Sequence, residues 1–406
     1  MKIAILHNSS PGGAARLVEE VARRLTATDD VTVCTWGDEP ASHVRGTTLM
    51  WCPAPQLHLP IPFHPFGDLA RSVLGSRRAV ARIDGMGFDV ALVLACRWGQ
   101  APTGLRRLRT PSVYFAQESR RRSYEAGYRL SGARAGWRRA LWWLGRRAYD
   151  GLASGLDRRA IGASGTVVTN SGFTAGRLAE AYGVAAAVVE LGVDATRFRP
   201  SAEVTSPRRS ALLVGALDPT KGGALAVRSL ALVPTTVRPP LRLVYNRGDE
   251  AFGKGLVALG EELGVDVRLR SRVSDPDLVT EYRSAAVLLA MADDEPFGLT
   301  VLEASACGTP TVAIAQGGFL RTVEEGVNGL LVQPCAERVA AAVTGILTNA
   351  ARFDPDEVAA WTRARWGWDR CVSELRGLLV SAARRPPGVP SQGARVPAGA
   401  GDRWGR

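Results

Sequence analysis

The chain has 406 residues, which is too many for one ordinary hydrophobic core and predicts two domains. Hydrophobic residues make up 46% and charged residues 22% of it, a balance that excludes a disordered or fibrous protein and is typical of a soluble globular enzyme. No apolar run reaches the roughly 18 to 20 residues that cross a bilayer, and the segment MKIAILHNSSPGG lacks the pattern of a secretory signal peptide, so we expect a cytoplasmic protein.

The formal net charge of +12 raises the question of a polyanionic partner. Three of the 51 basic residues are lysines (Lys2, Lys221 and Lys254), an arginine bias that genome composition explains more simply than nucleic-acid binding does. No base-reading motif accompanies the basic stretches, so we expect no nucleic-acid partner. The six cysteines include no C-x-x-C pair, and several lie in apolar runs, which predicts buried free thiols rather than a metal site.

Short apolar runs alternate with helical segments in the first half of the chain. The run KIAIL (2–6) precedes the loop HNSSPGG and then a segment in which Leu17, Val21 and Leu25 recur at helical spacing, so we predict a strand, a glycine loop and a helix. Further strands are predicted at 31–36, 47–51, 89–96, 112–116, 166–171 and 186–194. Near-continuous apolar strands between helices favour a parallel sheet that is covered on both faces.

The pattern breaks at residues 196–210, where prolines, serines and charges have the composition of a linker, and then it starts again. The second half has predicted strands at 210–217, 240–246, 265–271, 286–292 and 309–315, with helices that start at Gly223, Gly255, Asp277 and Gly298. The sequence therefore predicts an α/β chain with two doubly wound halves and a cleft between them. Ligands of such sheets bind beyond the carboxyl ends of the strands.

A glycine loop follows the first strand of each half. In SSPGGAAR (9–16) the glycines, Gly13 among them, allow an anion to approach the amides of the next helix, although a plain turn is the alternative and G-x-G-x-x-G is absent. In VGALDPTKGG (214–223), Lys221 lies between a proline turn and paired glycines at a helix start. That placement favours contact with phosphate over an ordinary surface lysine.

A third loop, DDEPFGLTVLEASA (293–306), joins a predicted strand to a helix. The first amides of that helix belong to Gly298, Leu299 and Thr300, and they are free to hold a diphosphate. Glu295 precedes the helix and Glu303 lies inside it. Because a carboxylate accepts two hydrogen bonds and suits a vicinal diol, this spacing predicts a hexose at Glu295 and a ribose at Glu303.

The segment EPFGLTVLEASACGTPTVA resembles the E-x7-E signature of retaining GT-B glycosyltransferases of the group called family 4. Segments similar to this family extend over about residues 1–375 and include TVVTNSGFTAGRLAEAYG, LLVGALDPTKGG and QGGFLRTVEEGVNGLLV. The resemblance implies two Rossmann-like doubly wound parallel-sheet domains that face a cleft. We therefore expect an acceptor-binding domain at 1–198, a donor-binding domain at 199–365 and a helix returning to the first domain at 366–380, followed by a disordered tail at 381–406.

The resemblance also implies a reaction, in which a sugar passes from a nucleotide-diphosphate sugar to a hydroxyl acceptor with retention of anomeric configuration and without metal or cofactor. The DPD at 275–277 is then a helix cap rather than a metal-binding D-x-D. Stabilisation of the departing diphosphate lowers the barrier. By this resemblance the catalytic residues are Glu295, Lys221 and Gln117, and the donor-binding residues are Gly13, Gly215, Lys221, Glu295, Gly298, Leu299, Thr300 and Glu303.

Three positions depart from the family pattern. Ala216 stands where the phosphate loop usually has an arginine, and Arg247 is a candidate substitute. Gln117 stands where many relatives carry a histidine, and its amide can orient a hydroxyl but cannot take up a proton. Arg321 replaces the acidic residue that commonly follows the Gly-Gly turn. These changes indicate either a subfamily with its own donor or a reduced activity.

Two other functions fit the same residues. One is a nucleotide-sugar epimerase or a phosphorylase on this fold. The other is a membrane-binding or partner-binding protein with a relic site, because residues 119–147 carry nine arginines and three tryptophans and suit an anionic bilayer surface. Alternatively, Trp137, Leu141 and Leu144 form a buried stripe. Peripheral association with the inner face of the membrane is compatible with catalysis if the acceptor is lipid-linked.

Overall fold

The computed structural model describes residues 1–9, 13–38, 43–57, 64–96, 99–118, 137–201, 210–349 and 352–385. The chain divides into two compact units. The first unit consists of Met1–Glu190 and the segment from Cys371 onward, and the second consists of Leu191–Arg370. Most of the predicted linker (202–209), most of the basic stretch (119–136) and the tail from residue 386 lie outside the described residues.

The first unit contains a seven-stranded parallel sheet in the order β3-β2-β1-β4-β5-β6-β7. Its strands are β1 (Lys2–His7), β2 (Asp30–Gly37), β3 (Thr48–Pro53), β4 (Val90–Leu94), β5 (Ser112–Ala116), β6 (Thr166–Thr169) and β7 (Ala187–Val188). Its first four helices are α1 (Gly13–Leu25), α2 (His64–Asp84), α3 (Trp137–Ile161) and α4 (Gly172–Tyr182). The apolar positions predicted for α1, which are Leu17, Val21 and Leu25, are all buried.

The second unit contains a six-stranded parallel sheet in the order β10-β9-β8-β11-β12-β13. Its strands are β8 (Ser210–Val214), β9 (Leu241–Tyr245), β10 (Val267–Ser271), β11 (Ala285–Ala290), β12 (Thr311–Ile314) and β13 (Gly329–Val332). Its helices are α5 (Gly223–Ala231), α6 (Glu250–Leu263), α7 (Asp275–Ser284), α8 (Leu299–Ala306), α9 (Phe319–Thr322), α10 (Ala336–Thr348) and α11 (Pro355–Arg365).

The burial of the strands explains why the two sheets form. Every residue of β4 is buried, as are all but the first residue of β1 and all but the last residue of β8. Strands that are apolar on both faces require helices on both faces, which is the arrangement of a doubly wound parallel sheet. The predicted α/β class with two Rossmann-like domains is confirmed.

Several element bounds differ from the prediction, and two helices begin earlier than predicted because polar side chains cap them. Asp249 caps α6, so this helix begins at Glu250 and not at Gly255. Ser274 accepts a hydrogen bond from the amide of Asp277, and Asp275 and Asp277 therefore form the first turn of α7. The predicted strand at 186–194 is reduced to the two residues of β7, and β13 was not predicted as a strand.

The last helix, α12 (Trp368–Ala383), begins in the second unit and continues in the first. Within the first unit, the Arg376 guanidinium donates to both carboxylate oxygens of Asp29 at 2.7 and 3.1 Å. Burial raises the pKa of Asp29, but the hydrogen bonds from Arg376 and Thr28 outweigh it and hold the pKa well below its usual value. A bidentate charge-assisted pair therefore fixes α12 on the first unit.

The two segments that pass between the units are hydrogen-bonded to each other. The amide of Val193 donates to the Trp366 carbonyl at 2.9 Å, and Val193 and Gly367 form an isolated parallel bridge. A Cβ atom on Gly192 would lie 2.4 Å from the amide nitrogen of Trp368, so only glycine allows this approach. Among the described residues, no helix combines the length and apolar character needed to span a membrane.

Candidate functional site

The predicted donor-binding residues of the second unit lie beyond the carboxyl ends of β8 and β11, which are neighbours in the sheet. From β8 the chain builds outward through β9 and β10, and it then returns to the other side of β8 with β11. The crevice between these strands is thus the topological switch point, where ligands of doubly wound sheets bind. Gly215 follows β8 directly, and Glu295 lies in the loop that joins β11 to α8.

The loop after β8 places Lys221 next to Glu295. The Lys221 Nζ donates to Glu295 Oε2 at 2.8 Å, although the two residues are 74 positions apart in sequence. Their side chains are 21% and 19% exposed, so both remain accessible from solvent. The structure therefore brings together two of the three residues predicted to be catalytic.

Two glycines in the loop after β8 explain the position of Lys221. Gly222 has φ +73°, and a Cβ atom on it would lie 2.1 Å from the Met291 carbonyl oxygen. The turn therefore rests directly on the end of β11, and the Asp293 amide donates to the Thr220 carbonyl at 2.8 Å. A Cβ atom on Gly215 would lie 3.4 Å from Cγ and Cδ of Lys221, which shows that the lysine stem covers this glycine.

The loop that carries Glu295 is held by the paired glycines that precede α9. The Gly318 amide donates to the Glu295 carbonyl at 2.6 Å. A Cβ atom on Gly317 would lie 2.6 Å from the same carbonyl oxygen, and one on Gly318 would lie 2.4 Å from Phe297 Cα. Because there is no space for a side chain at either position, these glycines define the path of the main chain from Glu295 to Phe297.

The start of α8 has the features of an anion site. Gly298 precedes the helix with φ +97°, and no side chain caps the helix end. Leu299 and Thr300 are the first two helical residues, and both are partly exposed. Uncapped amides and the positive end of the helix dipole favour a phosphate here.

Glu303 lies one turn farther along α8 and is only 5% exposed. The Tyr282 hydroxyl donates to Glu303 Oε2 at 2.8 Å, which fixes the orientation of the carboxylate. Tyr282 is fully buried and makes an edge contact with Phe198 at 6.0 Å between ring centroids. The sequence analysis missed Tyr282 as a partner of Glu303, since its spacing within α7 indicates only a core position.

Gly13 and Gln117 belong to the first unit. Gly13 is the first residue of α1 and is exposed, and Gln117 follows β5 directly. The carbonyl of Gln117 accepts a hydrogen bond from Asn170 Nδ2 at 2.8 Å, whereas its own Nε2 is buried without a partner. In the same unit, burial lowers the pKa of His7, at the end of β1, to about 4.

Arg247, the predicted substitute for the arginine that Ala216 replaces, lies beside the loop after β8. The Leu217 amide donates to the Arg247 carbonyl at 2.8 Å, and Leu217 and Gly248 form an isolated bridge. Arg247 itself is exposed. Ala216 contributes its carbonyl to the turn by accepting from the Asp218 amide at 2.9 Å. Among the described residues, no cluster of His, Cys, Asp and Glu has the composition of a metal site.

Each half of the chain matches one known protein family. Residues 11–197 match the family described as Glycosyltransferase Family 4, and residues 194–361 match the family described as Glycosyl transferases group 1. Curated relatives include a D-inositol 3-phosphate glycosyltransferase of Acidothermus cellulolyticus, which is 34% identical over 252 residues, or 55% of this chain and 56% of the relative. A protein of the same name from Thermobispora bispora is 32% identical over 222 residues, or 49% of this chain and 51% of the relative. The chain thus spans about half the length of these relatives.

Solved structures resemble the whole fold at lower sequence identity. Sucrose-phosphate synthase from Thermosynechococcus elongatus has a TM-score of 0.73 and 19% identity, with 94% of this chain and 98% of that chain covered. Anabaena Alr3699/HepE in complex with UDP and glucose has a TM-score of 0.68 and 19% identity, with 94% and 100% covered. Each half of the chain is therefore similar to one of these glycosyltransferase families, and the two Rossmann-like sheets have the GT-B fold.

Proposed function

We propose that this protein is a retaining glycosyltransferase that moves a sugar from a nucleotide-diphosphate sugar to a hydroxyl acceptor, without a metal ion. The observation that carries the proposal is the Lys221–Glu295 ion pair beside the uncapped start of α8, at the switch point of the second sheet. A cation, a carboxylate and free helix amides at one strand edge suit a ligand that carries both phosphate and sugar hydroxyl groups.

The diphosphate of the donor binds between Lys221 and the first amides of α8, those of Leu299 and Thr300. In the reaction the bond between the anomeric carbon and the diphosphate oxygen breaks, and negative charge grows on that oxygen. Fixed donors at this position stabilise the charge in the transition state without reorganisation. The glycine contacts of the loop supply this rigidity, because Gly222 cannot move away from β11 without opening the turn.

The donor sugar and the ribose bind to the two carboxylates of the E-x7-E pattern. Glu295 accepts hydrogen bonds from hydroxyl groups of the transferred sugar. In the free protein this carboxylate is paired with Lys221, so donor binding exchanges an internal ion pair for two ligand contacts. Glu303, oriented by Tyr282, accepts from the ribose diol.

The acceptor binds to the first unit, where Gln117 supports a positioning contact rather than proton transfer. Its Nε2 is buried without a partner, and an amide N–H of this kind can donate to an acceptor oxygen. The names of the curated relatives make D-inositol 3-phosphate the first acceptor to test. The solved Anabaena complexes with UDP and UDP-glucose make UDP-sugars the first donors to test.

A thermal-shift screen with UDP-, GDP-, dTDP- and ADP-sugars tests the donor site directly, since a ligand bound only by the native state raises the melting temperature. The best donor is then incubated with D-inositol 3-phosphate and a panel of polyols and glycans, and the anomeric configuration of the product is read by NMR. Transfer that persists in EDTA and gives the donor's own anomer supports the proposal. An inverted product, loss of transfer in EDTA, or absence of any nucleotide-dependent shift contradicts it.

The same incubations separate the alternatives. Conversion of the donor without any acceptor indicates an epimerase, and a phosphate-dependent product indicates a phosphorylase. Association through residues 119–147 is tested by sedimentation with phosphatidylserine vesicles at low salt. Absence of co-sedimentation ends the membrane hypothesis and leaves the transferase proposal unchanged.

A further inference from the structure

Arg321, one of the three positions that depart from the family pattern, lies over the indole of Trp366. The Arg321 Cζ is 5.0 Å from the ring centroid, a cation–π distance. Trp366 is fully buried, and Arg370 also lies over its ring at 5.7 Å. An acidic residue at position 321 would have no attraction to the ring face, since the indole face is electron-rich.

Trp366 also contacts the loop that carries Glu295, through Phe297. The ring of Phe297 meets the Trp366 ring edge-on, with 5.7 Å between centroids and 76° between planes. Phe297 is 2% exposed and follows Glu295 by two residues. Its main chain is also the part of the loop that Gly318 touches. The contacts from Arg321 to Trp366 and from Trp366 to Phe297 therefore link Arg321 to the segment that determines the position of Glu295.

We propose that Arg321 is a positioning residue that acts through Trp366 and Phe297 to hold Glu295 at the sugar end of the donor site. This inference rests on the function proposed above. The diphosphate contacts have anchors of their own, because the loop of Lys221 rests on β11 through Gly222 and the amides of Leu299 and Thr300 belong to α8. Loss of Arg321 should therefore lower the affinity for the nucleotide sugar more than the affinity for the nucleoside diphosphate.

Arg365 is a matched control for Arg321, and it lies in α11, the helix that ends just before Trp366. Arg365 lies over Trp361 at 5.6 Å, which is also a cation–π contact of an exposed arginine. Trp361 and Arg365 are both in α11. Removal of either arginine deletes one such contact. A general loss of stability should consequently be similar in the two variants.

The test measures binding of UDP and of UDP-glucose by isothermal titration calorimetry to the full chain and to the variants Arg321→Gln, Arg321→Lys and Arg365→Gln. GDP with GDP-mannose and ADP with ADP-glucose are run as parallel pairs. We expect Arg321→Gln to lose about fivefold in affinity for the nucleotide sugar, equivalent to one cation–π contact. Affinity for the nucleoside diphosphate should stay within about twofold. Arg321→Lys should recover most of the loss, because an ammonium also binds an indole face.

Three results would overturn the positioning role. They are equal affinities in Arg321→Gln and Arg365→Gln, equal losses for nucleotide and nucleotide sugar, or no recovery in Arg321→Lys. A wild-type protein that binds neither these three pairs nor dTDP with dTDP-glucose instead refutes the proposed donor site itself. The two failures are thus distinguishable from one set of titrations.

Discussion

Replacement of Glu295 by glutamine should separate nucleotide binding from sugar transfer. The free protein pairs Lys221 with Glu295 at 2.8 Å, and each side chain is about one-fifth exposed. An ion pair with this partial exposure is worth about 1 kcal/mol. Glu295→Gln removes the charge that competes with a diphosphate for Lys221. Affinity for UDP should therefore stay the same or rise by up to about fivefold.

Transfer should change in the opposite direction. A glutamine accepts through one oxygen without charge, so the contact with the sugar hydroxyls weakens in the transition state, and we expect the rate to fall by about 100-fold or more. Isothermal titration with UDP and a transfer assay with the best donor measure the two effects. Asp294→Asn is the control, since it removes the neighbouring exposed carboxylate and asparagine tolerates the positive φ of 49° there.

Two outcomes would refute this reasoning. Full transfer by Glu295→Gln would exclude Glu295 from the reaction. A loss of UDP affinity that Asp294→Asn does not share would show that the ion pair supports the nucleotide site instead of competing with it.

Three further substitutions test the donor site, the loop after β8 and a buried histidine of the first unit. Lys221→Met should lower the transfer rate by about 100- to 1,000-fold, because it removes the cation at the departing diphosphate, and unchanged single-turnover rates would contradict this. Gly222→Ala should reduce the free energy of unfolding by at least about 2 kcal/mol in urea titrations, because its Cβ would lie 2.1 Å from the Met291 carbonyl; Gly255→Ala, in a helix with nothing within 4 Å, should be neutral or stabilising. His7 has its pKa lowered to about 4 by burial, so the unfolded chain takes up its proton first as pH falls and stability should drop between about pH 6.5 and 4. The expected loss approaches 3 kcal/mol for a shift of this size, and a His7→Gln variant with the same pH dependence in urea titrations would refute the assignment.

The sequence predicted most of the sheet strands because apolar runs of five to six residues between helical segments leave few alternatives. It also indicated Lys221 and Glu295 one at a time, from a glycine loop and from the start of a helix. Their pairing was not predictable, because it depends on the contact of Gly222 with Met291 and on the packing of Gly318 against the loop. Such close backbone approaches join segments that are distant in sequence.

The contacts of Arg321 were not predictable from the sequence either. The sequence marked it as a departure from a family pattern but gave no partner. Trp366 lies 45 positions after Arg321. Its indole meets the Arg321 guanidinium only because of the way α11 packs in the folded unit. Two helix starts were misplaced because a polar cap lies ahead of the expected first residue: Asp249 precedes Gly255, and Ser274 precedes Asp277.

The chain passes from the first unit to the second and back again, so the second unit is an insertion within the first. Leu191–Arg370 is one continuous segment, whereas the first unit is assembled from two segments that come from opposite ends of the chain. A C-terminal truncation meant to isolate the first unit would discard Arg376 and leave Asp29 without its guanidinium partner. Since the entering and leaving segments touch at Gly192 and Trp368, a short splice from Glu190 to Cys371 should yield a self-contained first unit.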